Sequence, residues 1–144
     1  MKNKILMIIL AFVLITVVVG YMVFSYRSKV VLSQKLNKEY ESYYNIEMLG
    51  TELISIINKT IDTNNKNGIQ RDSNNYYIDN EDNSIHIYIK FIYKDEVKEI
   101  QMEDIEKSGT ESFIRVYSTE NFKCTNIEYH KKTKNVKSLT FEEL

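Results

Sequence analysis

The chain has 144 residues, 43% of them hydrophobic and 27% charged, with a formal net charge of -1 and one cysteine. That length leaves room for one soluble domain beside a membrane segment, and a single cysteine excludes an internal disulfide or a cysteine-based zinc cage. Setting aside Lys2 and Lys4 leaves 17 basic against 20 acidic residues, a mildly acidic balance that argues against a nucleic-acid partner.

Residues 5–24 read ILMIILAFVLITVVVGYMVF, without a charge or a proline. As a helix, about 20 apolar residues rise roughly 30 Å, the thickness of a bilayer's hydrocarbon core. A helix apolar on every face is expected to cross a membrane, so residues 1–26 read as an anchor with a short basic N-terminus. Cleavage as a secretory signal near Val23-Phe24-Ser25 is the competing reading. The run exceeds the usual signal core and no A-x-A-like site ends it, so an uncleaved anchor is expected. Lipid contact is assigned to residues 5–24. Arg27, Lys29, Lys35 and Lys38 follow the span, and by strict count they favour the cytoplasm for the rest of the chain. A very short basic N-terminus before a first span instead sends the chain across, and that extracytoplasmic orientation is the one expected.

Between residues 27 and 63 there is one glycine and no proline. Leu32, Leu36, Tyr40, Tyr43, Ile46, Gly50, Leu53, Ile57 and Ile61 recur in steps of three and four, which predicts one amphipathic helix over 27–63. Gly50 lies on the apolar stripe, where a missing side chain lets another backbone approach. The alternative is a break at Gly50-Thr51, with Thr51 capping a second helix from Glu52. Asn64 to Gly68 ends the helix.

Residues 64–144 read as a small α+β domain. A short strand is expected at 76–78, followed by a turn at 79–83. The clearest strand is 85–94, with Ile85, Ile87, Ile89, Phe91 and Tyr93 on one face and His86, Tyr88, Lys90 and Lys94 on the other. Asp95-Glu96 turns it into a strand at 97–101. Two short helices flank Gly109, at 102–108 and 110–118. A strand at 122–131 slips phase between Cys124 and Ile127, which predicts a bulge. The turn 132–135 leads to a last strand at 136–141. The fold class is α+β: a long N-terminal helix, half transmembrane and half amphipathic, packed on a small antiparallel sheet with one or two short helices.

Several residues invite a chemical reading. Asp79, Glu81 and Asn83 alternate as calcium ligands do. The sixth position is Ser84 instead of glycine and the twelfth is Lys90 instead of glutamate, so a solvated turn is the better account. His86 and His130 lack a carboxylate pair and read as surface residues. Cys124 reads as a small buried hydrophobe. Lys131, Lys132, Lys134 and Lys137 form a basic tip that suits anionic lipid or an acidic partner, and more simply keeps the sheet soluble. The sequon Asn58-Lys59-Thr60 sits in mid-helix. Eleven tyrosines without tryptophan suit core and interface alike. No catalytic constellation assembles, and no catalytic, cofactor or metal residue is assigned. The expected partners are lipid and other proteins, with no small-molecule substrate indicated.

A short basic N-terminus, an apolar helix continuing as an amphipathic one, and then an antiparallel sheet resemble type IV pilins and pseudopilins. The glycine before the run and the glutamate within it that mark pilin precursors are missing here. The resemblance therefore implies a non-cleaved accessory of a bacterial pilus or secretion apparatus. Abundant asparagine, lysine, isoleucine and tyrosine fit an AT-rich bacterial source. The rival reading is a membrane-tethered module that senses a ligand, or an adaptor facing the cytoplasm.

Overall fold

The computed structural model describes residues 2–93 and 96–144. The chain forms two units, one ending at Leu36 and the other Asn37–Leu144. Helix α1 (Lys2–Glu41) supplies the described residues of the first unit and the opening residues of the second. Its most apolar window has no buried residue, and Phe12 and Phe24 are each more than 70% exposed. The Thr16 hydroxyl donates back to the Phe12 carbonyl at 2.8 Å, so this hydroxyl in the middle of the apolar run is satisfied within the helix.

In the second unit, α1 stops at Glu41 instead of running to residue 63, which corrects the continuous amphipathic helix expected from the periodicity. The Ser42 hydroxyl takes the Glu39 carbonyl. Asn45 then adopts a left-handed backbone, φ 61, a conformation asparagine tolerates and most residues resist. Its N–H donates to the Cys124 carbonyl at 2.8 Å. The chain continues as strand β1 (Glu47–Leu49) and re-enters a helix, α2 (Gly50–Lys66). Glu52 reaches back to accept the Leu49 N–H at 2.9 Å, satisfying one donor orphaned at the helix start. Neither Gly50-Thr51 nor Thr51 is the break; Gly50 is the first residue of α2. A Cβ there would lie 1.9 Å from the Tyr117 carbonyl oxygen, so the close approach expected of this glycine is present.

Residues 76–78 form no strand; Tyr77 makes only an isolated bridge to Arg71. Strand β2 (His86–Tyr93) pairs antiparallel with β3 (Glu96–Gln101). Lys94 and Asp95, in the expected strand end and turn, lie outside the described residues. Helices α3 (Met102–Ser108) and α4 (Thr110–Tyr117) meet at Gly109, φ 84. Strand β4 (Asn121–Tyr129) and strand β5 (Val136–Glu143) form a second antiparallel hairpin. The expected bulge is there, as a register shift between Cys124 and Asn126, with another between Glu128 and Tyr129.

The sheet runs β1-β4-β5-β2-β3 and is mixed, a correction to the all-antiparallel expectation. Two hairpins joined by α3 and α4 bring β5 beside β2 in parallel, as a long crossover permits. Leu53 and Ile57 of α2, Ile87 and Ile89 of β2, Met102 of α3, and Leu139 and Phe141 of β5 are fully buried. Phe91, Phe113, Tyr117 and Phe122 join this core with ring centroids 4.8–6.3 Å apart. The architecture is α+β.

Candidate functional site

The polar groups of the second unit gather where β2 and β5 begin side by side and β4 ends. Asn80 shapes the preceding loop, its Oδ1 accepting the N–H groups of Asp82, Asn83 and Ser84 at 2.8–3.1 Å. The β4–β5 turn holds that loop down. Thr133 and Asn135 both donate to the Asp82 carbonyl, at 2.7 and 3.0 Å. Lys132 pairs with the Asp82 carboxylate at 3.2 Å, and Lys137 with Asp79 at 2.6 Å.

Both histidines lie inside this junction, which corrects their reading as surface residues: His86 is 6% exposed and His130 3%. An alternating pattern places a strand residue on the second face of a sheet; it does not show that a loop from elsewhere in the chain covers that face. His130 Nε2 donates to the Ser84 carbonyl at 2.7 Å. His86 Nε2 has no hydrogen-bond partner, and its ring lies 6.3 Å from that of Tyr88. Burial holds the His86 imidazole below its ordinary pKa, and Lys137 and His130 add to this while Asp79 opposes it. Burial works to raise Asp79, but the Lys137 ammonium and the Ser84 hydroxyl hold it below the usual carboxylate range. Lys137 is raised in turn, chiefly by Asp79.

A second buried titratable group, Glu103, was not singled out by sequence reasoning. It is 1% exposed in the first turn of α3. Its Oε1 accepts the Tyr77 N–H at 3.2 Å, and Oε2 has no partner. Burial pushes its carboxyl up. An acid early in a helix ordinarily reads as a solvent-facing dipole partner, so nothing local in the sequence marked it. Nearby, Arg71 stacks 4.0 Å from the Tyr77 ring centroid and forms a two-pronged pair with Glu106.

The remaining candidates separate. The Asp79 carboxylate takes Lys137 and the Ser84 hydroxyl, whereas the Asn83 side chain takes Asn80 Nδ2, so the alternating oxygens do not converge on one point. Among the described residues no group of three His, Cys, Asp or Glu side chains is placed to hold a metal ion. Ser84 and His130 touch, but through the serine carbonyl instead of its hydroxyl, which is not a nucleophile–base pair. Cys124 is fully buried, and burial pushes its thiol up to about 11, the reverse of an activated thiol. Thr60 of the sequon is a core residue, bonded to Tyr40 and to the Ile56 carbonyl. Of the basic tip, Lys132 and Lys137 are engaged by Asp82 and Asp79, and the Lys134 carbonyl accepts from Asn37 at 2.9 Å. An open cleft of about 830 Å³ borders the junction, lined by Asp79, Glu81, Glu128, Tyr129 and Lys131 among others. Tyr129 is the one tyrosine that lines it.

In comparisons with protein-family models, curated proteins and solved structures, none matches this chain.

Proposed function

We propose that this chain is a single-pass, membrane-anchored protein without catalytic activity, whose second unit is displayed outside the cytoplasm to meet protein partners. One observation carries the reading. An exposed helix long and apolar enough to cross a bilayer precedes an α+β unit with an apolar core, whose polar junction is tied by the Asp79–Ser84 and Ser84–His130 bonds, with His86 Nε2 and Glu103 Oε2 left unpartnered. Placement as an accessory of a bacterial envelope apparatus extends this reading from the pilin-like layout. The structure departs from that layout where α1 stops at Glu41, where β1 precedes α2, and where β2 pairs with β5 in parallel. A tethered ligand-binding module is the second reading, favoured by the open charged cleft beside the Asp79–Lys137 pair.

Membrane topology tests the proposal. Lys131 is exposed on the β4–β5 connection, and Cys124 is buried with its thiol protonated. A Lys131→Cys variant should therefore react with a membrane-impermeant thiol reagent while the native chain stays silent. Labelling of intact cells supports display outside the cytoplasm. Labelling only after lysis overturns it and leaves an adaptor facing the cytoplasm.

A further inference from the structure

Strand β1 lies at one edge of the sheet. Its Met48 pairs with the core residue Phe122, so Glu47 and Leu49 lie on the opposite face, away from the core. That face carries a ladder of alternating charge. Glu47 of β1 pairs with Lys123 of β4, Lys123 with Glu142 of β5, Glu142 with Lys90 of β2, and Lys90 with Glu99 of β3. Opposite charges side by side are the favourable cross-strand arrangement, and at β1 the ladder ends on an exposed anion with a cation on one side only. The same edge borders an open groove of about 370 Å³ between β1 and α2. Its lining includes the buried Met48 and Ile56 and the half-exposed Ile46, with Glu47 and Glu52 as its charged members. The Gly50 N–H points to the Glu120 carbonyl beside β4, whereas the Leu49 N–H turns the other way, to Glu52. Alternation along the strand turns the Glu47 N–H and carbonyl outward as well, and no strand among the described residues pairs with them.

We propose that the β1 edge and the groove beside it bind an extended peptide of a partner protein, added antiparallel as a further strand, with a lysine or arginine facing Glu47 and apolar side chains around it. This rests on the reading of the chain as a protein-binding one and names the chemistry of the partner. Side chains of an added strand alternate between the two faces. The residue opposite Glu47 falls on the ladder face, where a cation continues the alternation. Its two neighbours turn to the helix side, toward Met48 and Ile56, where apolar side chains leave water for an apolar lining. The residue two before it comes beside Leu49, which is 43% exposed. Main-chain bonds to the outward Glu47 groups hold the segment, and its alternate side chains select it. The other free edge of the sheet does not fit this position in a second copy. On the ladder face β3 carries Val97, Glu99 and Gln101, and its one charge repeats that of Glu47.

The probe is a dye-labelled synthetic peptide, GSTVVKVTSG, titrated with the full chain in micelles and followed by fluorescence polarisation. Saturable binding is expected. Glutamate in place of its lysine should weaken binding about tenfold, as an opposite cross-strand charge becomes a like one. Glu47→Lys should exchange that preference and bind the glutamate peptide better. Methylation of the lysine's backbone nitrogen keeps every side chain but deletes the donor to the Glu47 carbonyl, and should weaken binding by about tenfold or more. Ser55 lines the groove and is exposed on α2, so Ser55→Tyr should fill the groove and abolish binding without unfolding the chain. Absence of saturable binding to the native chain overturns the proposal. Binding that survives Ser55→Tyr or the backbone methylation does so too, as does a Glu47→Lys chain that keeps the native preference. Self-association of the native chain that Ser55→Tyr removes assigns the groove to a second copy and also overturns it. The topology labelling stands apart from these results: a unit facing the cytoplasm overturns display and leaves the peptide site intact.

Discussion

Gly50→Ala is the most informative single substitution in the fold. A methyl group at this position meets the Tyr117 carbonyl oxygen at 1.9 Å and its carbon at 2.8 Å. Reaching ordinary contact at 3.4 Å requires a separation of about 1.5 Å between the start of α2 and the end of α4, the difference between those two distances. Neither side gives easily. The Gly50 N–H donates to the Glu120 carbonyl at 3.0 Å, and the Tyr117 carbonyl accepts the Glu120 N–H at 3.2 Å. A shift therefore disturbs both bonds, beside the β1–β4 pairing. Overpacking of this kind costs about 1–3 kcal/mol and a broken backbone bond about 1 kcal/mol, against about 1 kcal/mol gained from the better helix propensity of alanine. The expected net loss is about 2 kcal/mol. In urea, at a slope of about 1–3 kcal/mol per molar, the midpoint falls by about 1 M. Unfolding of the second unit can be followed in the full chain in micelles by near-ultraviolet circular dichroism of its tyrosines. Two glycines act as controls. Gly20→Ala has open space around it and should leave the midpoint in place. Gly68→Ala also has open space, but φ is 68, so it should lose about 1 kcal/mol from backbone strain alone. A Gly50→Ala midpoint equal to or above the native one would refute the close-approach reasoning.

Glu103→Gln removes a carboxyl whose folded pKa is raised by burial above an ordinary value of 4.5. The folded state then binds the proton more tightly than the unfolded state, so the contribution to stability is full below about 4.5 and is lost as pH rises through the folded value. Stability of Glu103→Gln relative to the native chain should therefore rise from acid to neutral pH in a series of urea melts; a pH-independent difference would contradict the buried-carboxyl account. Tyr40→Phe deletes a buried hydroxyl bonded to Thr60 at 3.0 Å. It should cost about 1 kcal/mol in the same melts, and a rise in stability would mean that the ring alone sets the site.

Much of this architecture is legible in the residues. The apolar helix, the alternation in β2, the two helices around Gly109 and the bulge after Cys124 each follow from local pattern, and all are present. The reading fails where distant pairing decides. The three-and-four stripe carries through Tyr40, Tyr43 and Ile46 without a visible stop, yet the helix ends because Asn45 turns left-handed and bonds to Cys124. The parallel contact of β2 with β5 is likewise invisible, since each strand reads locally as half of a hairpin. The burial of His86 and His130 fails for the same reason: the covering loop is positioned by Asp82 contacts with Thr133 and Asn135. The candidate site thus depended on tertiary structure, whereas most elements did not.

The order β1-β4-β5-β2-β3 also governs when this unit can exist during biosynthesis. The two strands made last occupy the inside of the sheet, and β1 joins the β2–β3 hairpin only through them. While residues 47–120 emerge, β1 has no partner and the β2–β3 hairpin stands alone, a state marginal in water. Assembly must wait for β4 and β5, so early pairing cannot trap a partial sheet and closure is slow, as non-local pairing requires. A chain interrupted before residue 121 would lack both strands, leaving the apolar faces of β2 and α2 open to proteases or chaperones.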